Sequence, residues 1–324
     1  VLGSRLALPQ VGYDIAEFAP EAKIIVVDID EIEIKKYENR CDRLIVADCG
    51  VTIDKLLSNL SDDFSYKSGW VNQCNKWREK YPWVINEHKD DSYINSYKFI
   101  DSLSDRMKDN QIIVTDMGTG LLSGHQGIKL KSNQTMFTST GLGEMGYGLP
   151  AAVGAAFAGN GREVLCLNCD GGMMMNLQEL QTIIQYDLPV KIIIFNNDGY
   201  LMIKHTQKML FKGKLVSSNG ESGITLPNYS KVAHAFGFET YRIDSWSQYD
   251  ETIKKFLSSK KQAICEVFMN PEQEFIPKVR GVVKEDQTIV PVPLEEMSPL
   301  LPLEVIKEEM IIDINKKSLQ VKRK

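Results

Sequence analysis

Short apolar runs recur along the chain, separated by stretches of helical periodicity. Residues 163–167 and 190–195 each read as a buried strand. Between them, residues 176–186 place Leu177, Leu180, Ile183 and Ile184 on one helical face. Asn176-Leu177-Gln178-Glu179 predicts a capping box, with Asn176 as N-cap and Glu179 at N3. Asp187-Leu188-Pro189 ends the helix before the next strand. Strand, helix, strand is a βαβ unit, so the strands are expected to be parallel neighbours with their C-terminal ends side by side. The alternation continues from residue 92 to about residue 270. Helices are predicted over 93–107, 148–158, 229–236 and 247–257, and strands over 111–115 and 263–269. This is the pattern of an α/β fold built on a doubly wound parallel sheet.

Upstream, residues 22–30 and 44–48 read as short strands and 52–60 as a closing helix, like the end of a Rossmann-like domain. No GxGxxG precedes them, so the acidic residues are expected to be ordinary strand-end caps and not a dinucleotide site. The predicted division is a partial Rossmann-like domain over 1–60, a linker over 61–93, a main domain over 94–275 and a C-terminal extension over 276–324. The linker carries Trp70, Trp77 and Trp83, expected to pack on a domain surface. Residues 271–324, with several prolines and the basic end Lys322-Arg323-Lys324, are expected to form a solvated, frayed tail.

The chemistry gathers where the βαβ strands end. Asp170-Gly171-Gly172 follows the first strand and Asn196-Asn197-Asp198-Gly199-Tyr200 the second. Ligands of open α/β sheets bind at such strand ends. A carboxylate from Asp170 and an amide oxygen from Asn197 are hard donors that suit Mg²⁺. Gly171 and Gly172 are expected to let backbone N–H groups approach phosphate oxygens. As a strand-end carboxylate, Asp170 is expected to contribute little to stability. Gly118-Thr119-Gly120 opens a predicted helix after the strand that ends at Asp116, a position suited to an anion or to a simple turn.

Bulk properties narrow the class. With 324 residues, 43% hydrophobic and 25% charged, the chain is an ordinary globular one, and its net charge of −5 gives no reason to expect nucleic acid or an anionic membrane as partner. No apolar run approaches a membrane span. The six cysteines fit free thiols in a cytoplasmic protein. Cys166 and Cys169 have CxxC spacing, but three positions apart in a strand they face opposite sides, so a structural role is expected.

Asp-Gly, a gap of 24 residues (Gly172 through Phe195), then Asn-Asn resembles the metal motif of thiamine diphosphate (ThDP) enzymes, with Cys169 where the family usually has glycine. Residues 141–152, 174–180 and 227–237 resemble the corresponding segments of acetolactate synthases and their relatives. The resemblance covers roughly residues 1–300. It implies Asp170, Asn197 and the Gly199 carbonyl as Mg²⁺ ligands. Gly118, Thr119, Gly171, Gly172, Asn197, Tyr200 and Leu201 would hold ThDP. The Gly143 carbonyl and Met145 N–H would hold its aminopyrimidine, with the Met145 side chain wedged against the cofactor. His125 and His205 lie near these segments with no assigned role, and FAD binding is left open. The implied activity is decarboxylation of a 2-keto acid such as pyruvate, with transfer of the acyl unit to an acceptor carbonyl, as in relatives of surface-sugar biosynthesis. A simple 2-keto acid decarboxylase and a non-catalytic ThDP-binding subunit are the alternatives. The family's activating glutamate sits on a pyrimidine-binding domain that no segment here resembles. It is expected from the same or another chain, within a homodimer or homotetramer, with the sequence here read as a truncated portion. An apolar face around residues 141–149 is expected to await that domain.

Overall fold

A computed structural model of the chain describes residues 1–61, 65, 67–90, 92–139, 141–279, 281–283 and 289–323. It divides into two compact units, Val1–Arg78 with Ile276–Lys324, and Glu79–Phe275.

The first unit opens with α1 (Leu8–Val11), β1 (Ile25–Asp28), α2 (Glu31–Lys35), β2 (Arg43–Val46) and α3 (Cys49–Ser58), with β1 and β2 paired in parallel. The acidic residues after the strands, expected as strand-end caps, cap the helices that follow. Asp30 accepts the N–H groups of Ile32 and Glu33, and Asp48 that of Val51. Helix α4 (Ser68–Lys80) occupies much of the segment expected as a linker. Within it Trp70 packs edge-on against Trp77, while Trp70 and Trp83 stay exposed.

In the second unit come α5 (Ser96–Arg106), β3 (Ile112–Thr115), α6 (Thr119–Gly127), β4 (Thr135–Phe137), α7 (Gly148–Ala158), β5 (Val164–Cys169), the short turn of helix α8 (Asp170–Met173), α9 (Glu179–Gln185) and β6 (Val190–Asn196). Then follow α10 (Leu201–Leu210), α11 (Tyr229–Ala235), β7 (Glu239–Ile243), α12 (Trp246–Ser258) and β8 (Ala263–Phe268). Strand order is β4-β3-β5-β6-β8-β7, all parallel. Residue parity sorts the core. Ile113, Leu165, Leu167, Ile193 and Phe195 face α5 and α12, whereas Val114, Val164, Cys166, Ile192 and Ile194 face α7, α9 and α11. From β3 the chain goes outward to β4, then returns to β5 on the other side of β3. The crevice beyond β3 and β5 is therefore the switch point of the sheet. The doubly wound α/β fold is as expected.

Three local expectations change. The capping box at Asn176 does not form. Helix α9 begins at Glu179, the Glu179 carboxylate accepts from the Thr182 hydroxyl, and the Asn176 amide donates instead to the Gly146 carbonyl at 2.7 Å. A tertiary acceptor has replaced the local one. Edge strands β4 and β7 were not anticipated. Finally, the C-terminal stretch is not a frayed tail. In the first unit it forms the antiparallel pair β9 (Gly281–Val283) and β10 (Ile289–Pro291), then α13 (Leu303–Glu309). Ile306 is buried, buried Glu296 pairs with Arg323, and the Trp77 indole donates to Glu309 at 2.6 Å. Burial of Ile306 and neutralisation of Glu296 hold the stretch down. Lys324 of the basic end lies outside the described residues.

Candidate functional site

Parallel register sets Cys169 beside Phe195, so the residues that leave β5 and β6 emerge together. Asp170 is fully buried there. Its Oδ2 accepts the N–H groups of Asn197 at 2.9 Å and Gly199 at 3.1 Å, and its Oδ1 that of Gly171 at 2.8 Å. Burial pushes the carboxyl pKa up to about 7, against the pull of these donors. The expectation that Asp170 matters little to stability is thus corrected. Without it, two turns lose an acceptor inside the protein. From the other side, the Tyr229 hydroxyl donates to the Asp170 carbonyl, which places a residue of α11 under the site.

Asn197 Oδ1 is buried and has no hydrogen-bond partner in the protein. An orphaned amide oxygen beside a buried carboxylate is a donor set that fits a hard divalent cation. Among the described residues, no three His, Cys, Asp or Glu side chains gather into a metal-binding group. The fit therefore rests on one carboxylate with neutral oxygens. Gly199, with φ +136°, turns the chain against Ser218, whose carbonyl accepts the Tyr200 N–H at 2.9 Å. A Cβ on Gly199 would overlap that carbonyl.

The glycines after Asp170 have protein neighbours where phosphate had been expected to supply the reason for them. A Cβ on Gly171 would overlap the Tyr200 ring, and one on Gly172 would overlap Asp116 Oδ2. Asp116, the residue after β3, is fully buried and was not among the expected site residues. Its Oδ1 accepts the Gly148 N–H at 3.1 Å and its Oδ2 the Gly146 N–H at 3.2 Å. Burial raises its pKa, opposed by these N–H groups.

Helix α6 begins at Thr119, as its glycines suggested. Thr119 Oγ1 is buried without a partner in the protein, which suits it to an acceptor brought by a ligand. Gly120 lies so close to β5 that a Cβ would overlap the Leu167 carbonyl, and its N–H donates to Cys169 Sγ at 3.4 Å. Cys169 thus supports the first turn of α6, while Cys166 sits in the core of the opposite face. All six cysteines are free.

Nine of the eleven expected residues line one narrow space of about 40 Å³: Gly118, Thr119, Met145, Gly171, Gly172, Asn197, Gly199, Tyr200 and Leu201. The other two are Asp170, buried beneath it, and Gly143, whose φ of +66° bends the chain just before Met145. Met145 also lines an open cleft of about 750 Å³ bounded by Glu144, Tyr147 and α7. Neither His125 nor His205 lines either space. His125 Nε2 lies 3.2 Å from Thr115 Oγ1, and the His205 ring packs near Phe275.

Residues 116–267 match the family model described as thiamine pyrophosphate enzyme, C-terminal TPP binding domain. The match runs from the end of β3 to the end of β8. The chain is 31% identical over 281 residues to the acetolactate synthase isozyme 1 large subunit of Escherichia coli (strain K12), covering 86% of this chain and 48% of that one. It is 30% identical over 269 residues to the acetolactate synthase large subunit of Cyanidium caldarium, covering 81% and 45%. With that of Pyropia yezoensis it shares 36% identity over 234 residues, covering 71% and 38%. The chain spans less than half the length of these relatives.

Proposed function

The chain belongs to the acetolactate synthase-like family of ThDP enzymes, whose C-terminal TPP binding domain it carries, and from that premise we propose that it holds the diphosphate half of a ThDP site through a magnesium ion. The observation that carries this reading is the buried Asp170 carboxylate and the orphaned Asn197 Oδ1 at the neighbouring C-terminal ends of β5 and β6. Asp170, Asn197 and the Gly199 carbonyl would be the protein's ligands to the ion. The α6 N-terminus, with Gly118 and Thr119, would receive the diphosphate. Tyr200 and Leu201 would flank it. The Gly143 carbonyl and Met145 N–H would hold the aminopyrimidine.

When bound, ThDP supplies the carbon nucleophile and electron sink for decarboxylating a 2-keto acid and passing on its acyl unit. The chain's own task is binding, orientation and exclusion of water. Asp170 offers its charge to the cation in a setting where burial strengthens the attraction. The donor is a pyruvate-like 2-keto acid, and the acceptor is a carbonyl compound, a second keto acid or a keto sugar. Relatives about twice as long as this chain support a further proposal, that the pyrimidine half of the site and its glutamate come from a segment beyond these 324 residues. Leu142, 87% exposed, and the exposed Met174 and Met175 offer that segment an apolar face.

Calorimetric titration of the chain with ThDP, with and without Mg²⁺, tests the reading. Saturable binding that requires the ion is expected. Equal binding with and without Mg²⁺, or none with it, would refute it. Product analysis with pyruvate and candidate acceptors then decides the substrate pair.

A further inference from the structure

Asp116 lies outside the metal position and outside the expected cofactor contacts, yet its fully buried carboxylate meets both halves of the site. Its two oxygens take the N–H groups of Gly146 and Gly148, at 3.2 and 3.1 Å. On the other side of the same bend, the Asn176 amide donates to the Gly146 carbonyl at 2.7 Å. Gly146, at φ +86°, is therefore gripped at both its N–H and its carbonyl. The third contact is steric. Asp116 Oδ2 occupies the space that a side chain on Gly172 would need. One carboxylate thus ties the end of β3 to the bend that carries Gly143 and Met145, and to the turn that follows Asp170.

We propose that Asp116 is a positioning residue that locks the Gly143–Met145 segment to the Asp170–Gly172 turn, fixing the distance between the grips on the two ends of the cofactor. The proposal rests on the assignment of Gly143 and Met145 to the aminopyrimidine. The residue type fits the task. A carboxylate presents two acceptors and no donor to two N–H groups, whereas an amide would turn an NH₂ group towards one of them. Burying a carboxylate is costly unless its oxygens are satisfied, and here both are. The Gly172 contact adds a reason for a glycine at that place that does not depend on phosphate.

The test compares two ligands on the full chain, Mg²⁺–ThDP and Mg²⁺–inorganic diphosphate, which lacks the pyrimidine. Asp116→Asn should weaken ThDP binding by about tenfold or more, the scale of one lost charge-assisted hydrogen bond. Diphosphate binding should stay within about twofold. Equal losses for both ligands would reduce Asp116 to a general structural role, and unchanged ThDP affinity would overturn the proposal outright. Gly172→Ala, which pushes on the carboxylate, should weaken ThDP binding in the wild-type background and far less in an Asp116→Ala background. Additive losses would contradict the contact. If the wild-type chain binds neither ligand, the cofactor assignment itself fails. The clamp is then judged by amide hydrogen exchange at Gly146 and Gly148 in the unliganded chain. Asp116→Ala, which removes both acceptors, should accelerate both relative to the β5 and β6 amides, and unchanged protection would overturn the clamp.

Discussion

The Tyr200 ring fills the place where a side chain on Gly171 would stand. Two segments separated by a strand and a helix are thus fitted against each other with no spare volume. Gly171→Ala should displace the ring and weaken Mg²⁺–ThDP binding by about tenfold or more, the order expected of overpacking a closed site. In a Tyr200→Ala background the same substitution should cost much less. Calorimetric titration of the four proteins gives the coupling, and independent losses would show that the contact does not shape the site.

Asp170→Asn and Asp170→Ala should behave differently. Asparagine keeps one acceptor oxygen, which the N–H groups of Asn197 and Gly199 can share as they share Oδ2, but removes the charge, so Mg²⁺-dependent ThDP affinity should fall by about tenfold or more while the fold survives. Alanine strands all three N–H groups, that of Gly171 included, at about 1–3 kcal/mol each, and should lower the urea midpoint as well. Retention of wild-type affinity by Asp170→Asn at limiting Mg²⁺ would remove Asp170 from the ligand set.

Asp170 also predicts a pH effect in the cation-free chain. Its folded-state pKa, raised by burial to about 7, lies above the ordinary 3.8. Between those values the folded chain holds a proton that the unfolded chain has released. Stability should therefore fall as pH rises from about 4 to 7 and level off above, with buried Asp116 adding in the same direction. Urea midpoints in chelator should decrease from pH 5 to pH 6 to pH 8, and Mg²⁺ should restore most at pH 8. In Asp170→Asn the slope should shrink; an identical slope would mean that another group sets it.

The cysteines divide evenly. Cys166, Cys169 and Cys265 are buried with their thiol pKa values raised by that burial, while Cys41, Cys49 and Cys74 are partly accessible. A disulfide-exchange reagent should modify three thiols rapidly in the native chain and the other three only on unfolding. Rapid loss of a fourth thiol would mean that β5 or β8 opens more readily than its packing implies.

The sheet and the strand ends of the site were legible because buried parallel strands write themselves as unbroken apolar runs. The helix from Gly148 to Ala158 lies where its small residues predicted. Contacts set by distant residues were not legible. Asn176 has the sequence of a cap, but Gly146, 30 positions away, wins its side chain. Asp116 looked like a strand end because its partners, 30 and 32 positions on, are backbone N–H groups that carry no residue signature. Strand β4, three residues long, falls below the length at which alternation is visible. The prolines near the C-terminus suggested a tail, yet Ile306 and Glu296 find burial that local composition does not report.

The three backbone donors around the Asp170 carboxylate bear on kinetics. They come from Gly171, Asn197 and Gly199, so the carboxylate is aimed before any ion arrives. Loading a cation then requires little searching by loops, and the slow event passes to the ion, which must shed water to enter. Because Mg²⁺ gives up its hydration shell reluctantly, the seat would fill at a pace set by solvent exchange, and a larger, more loosely hydrated ion such as Ca²⁺ would enter sooner even where it is held less well.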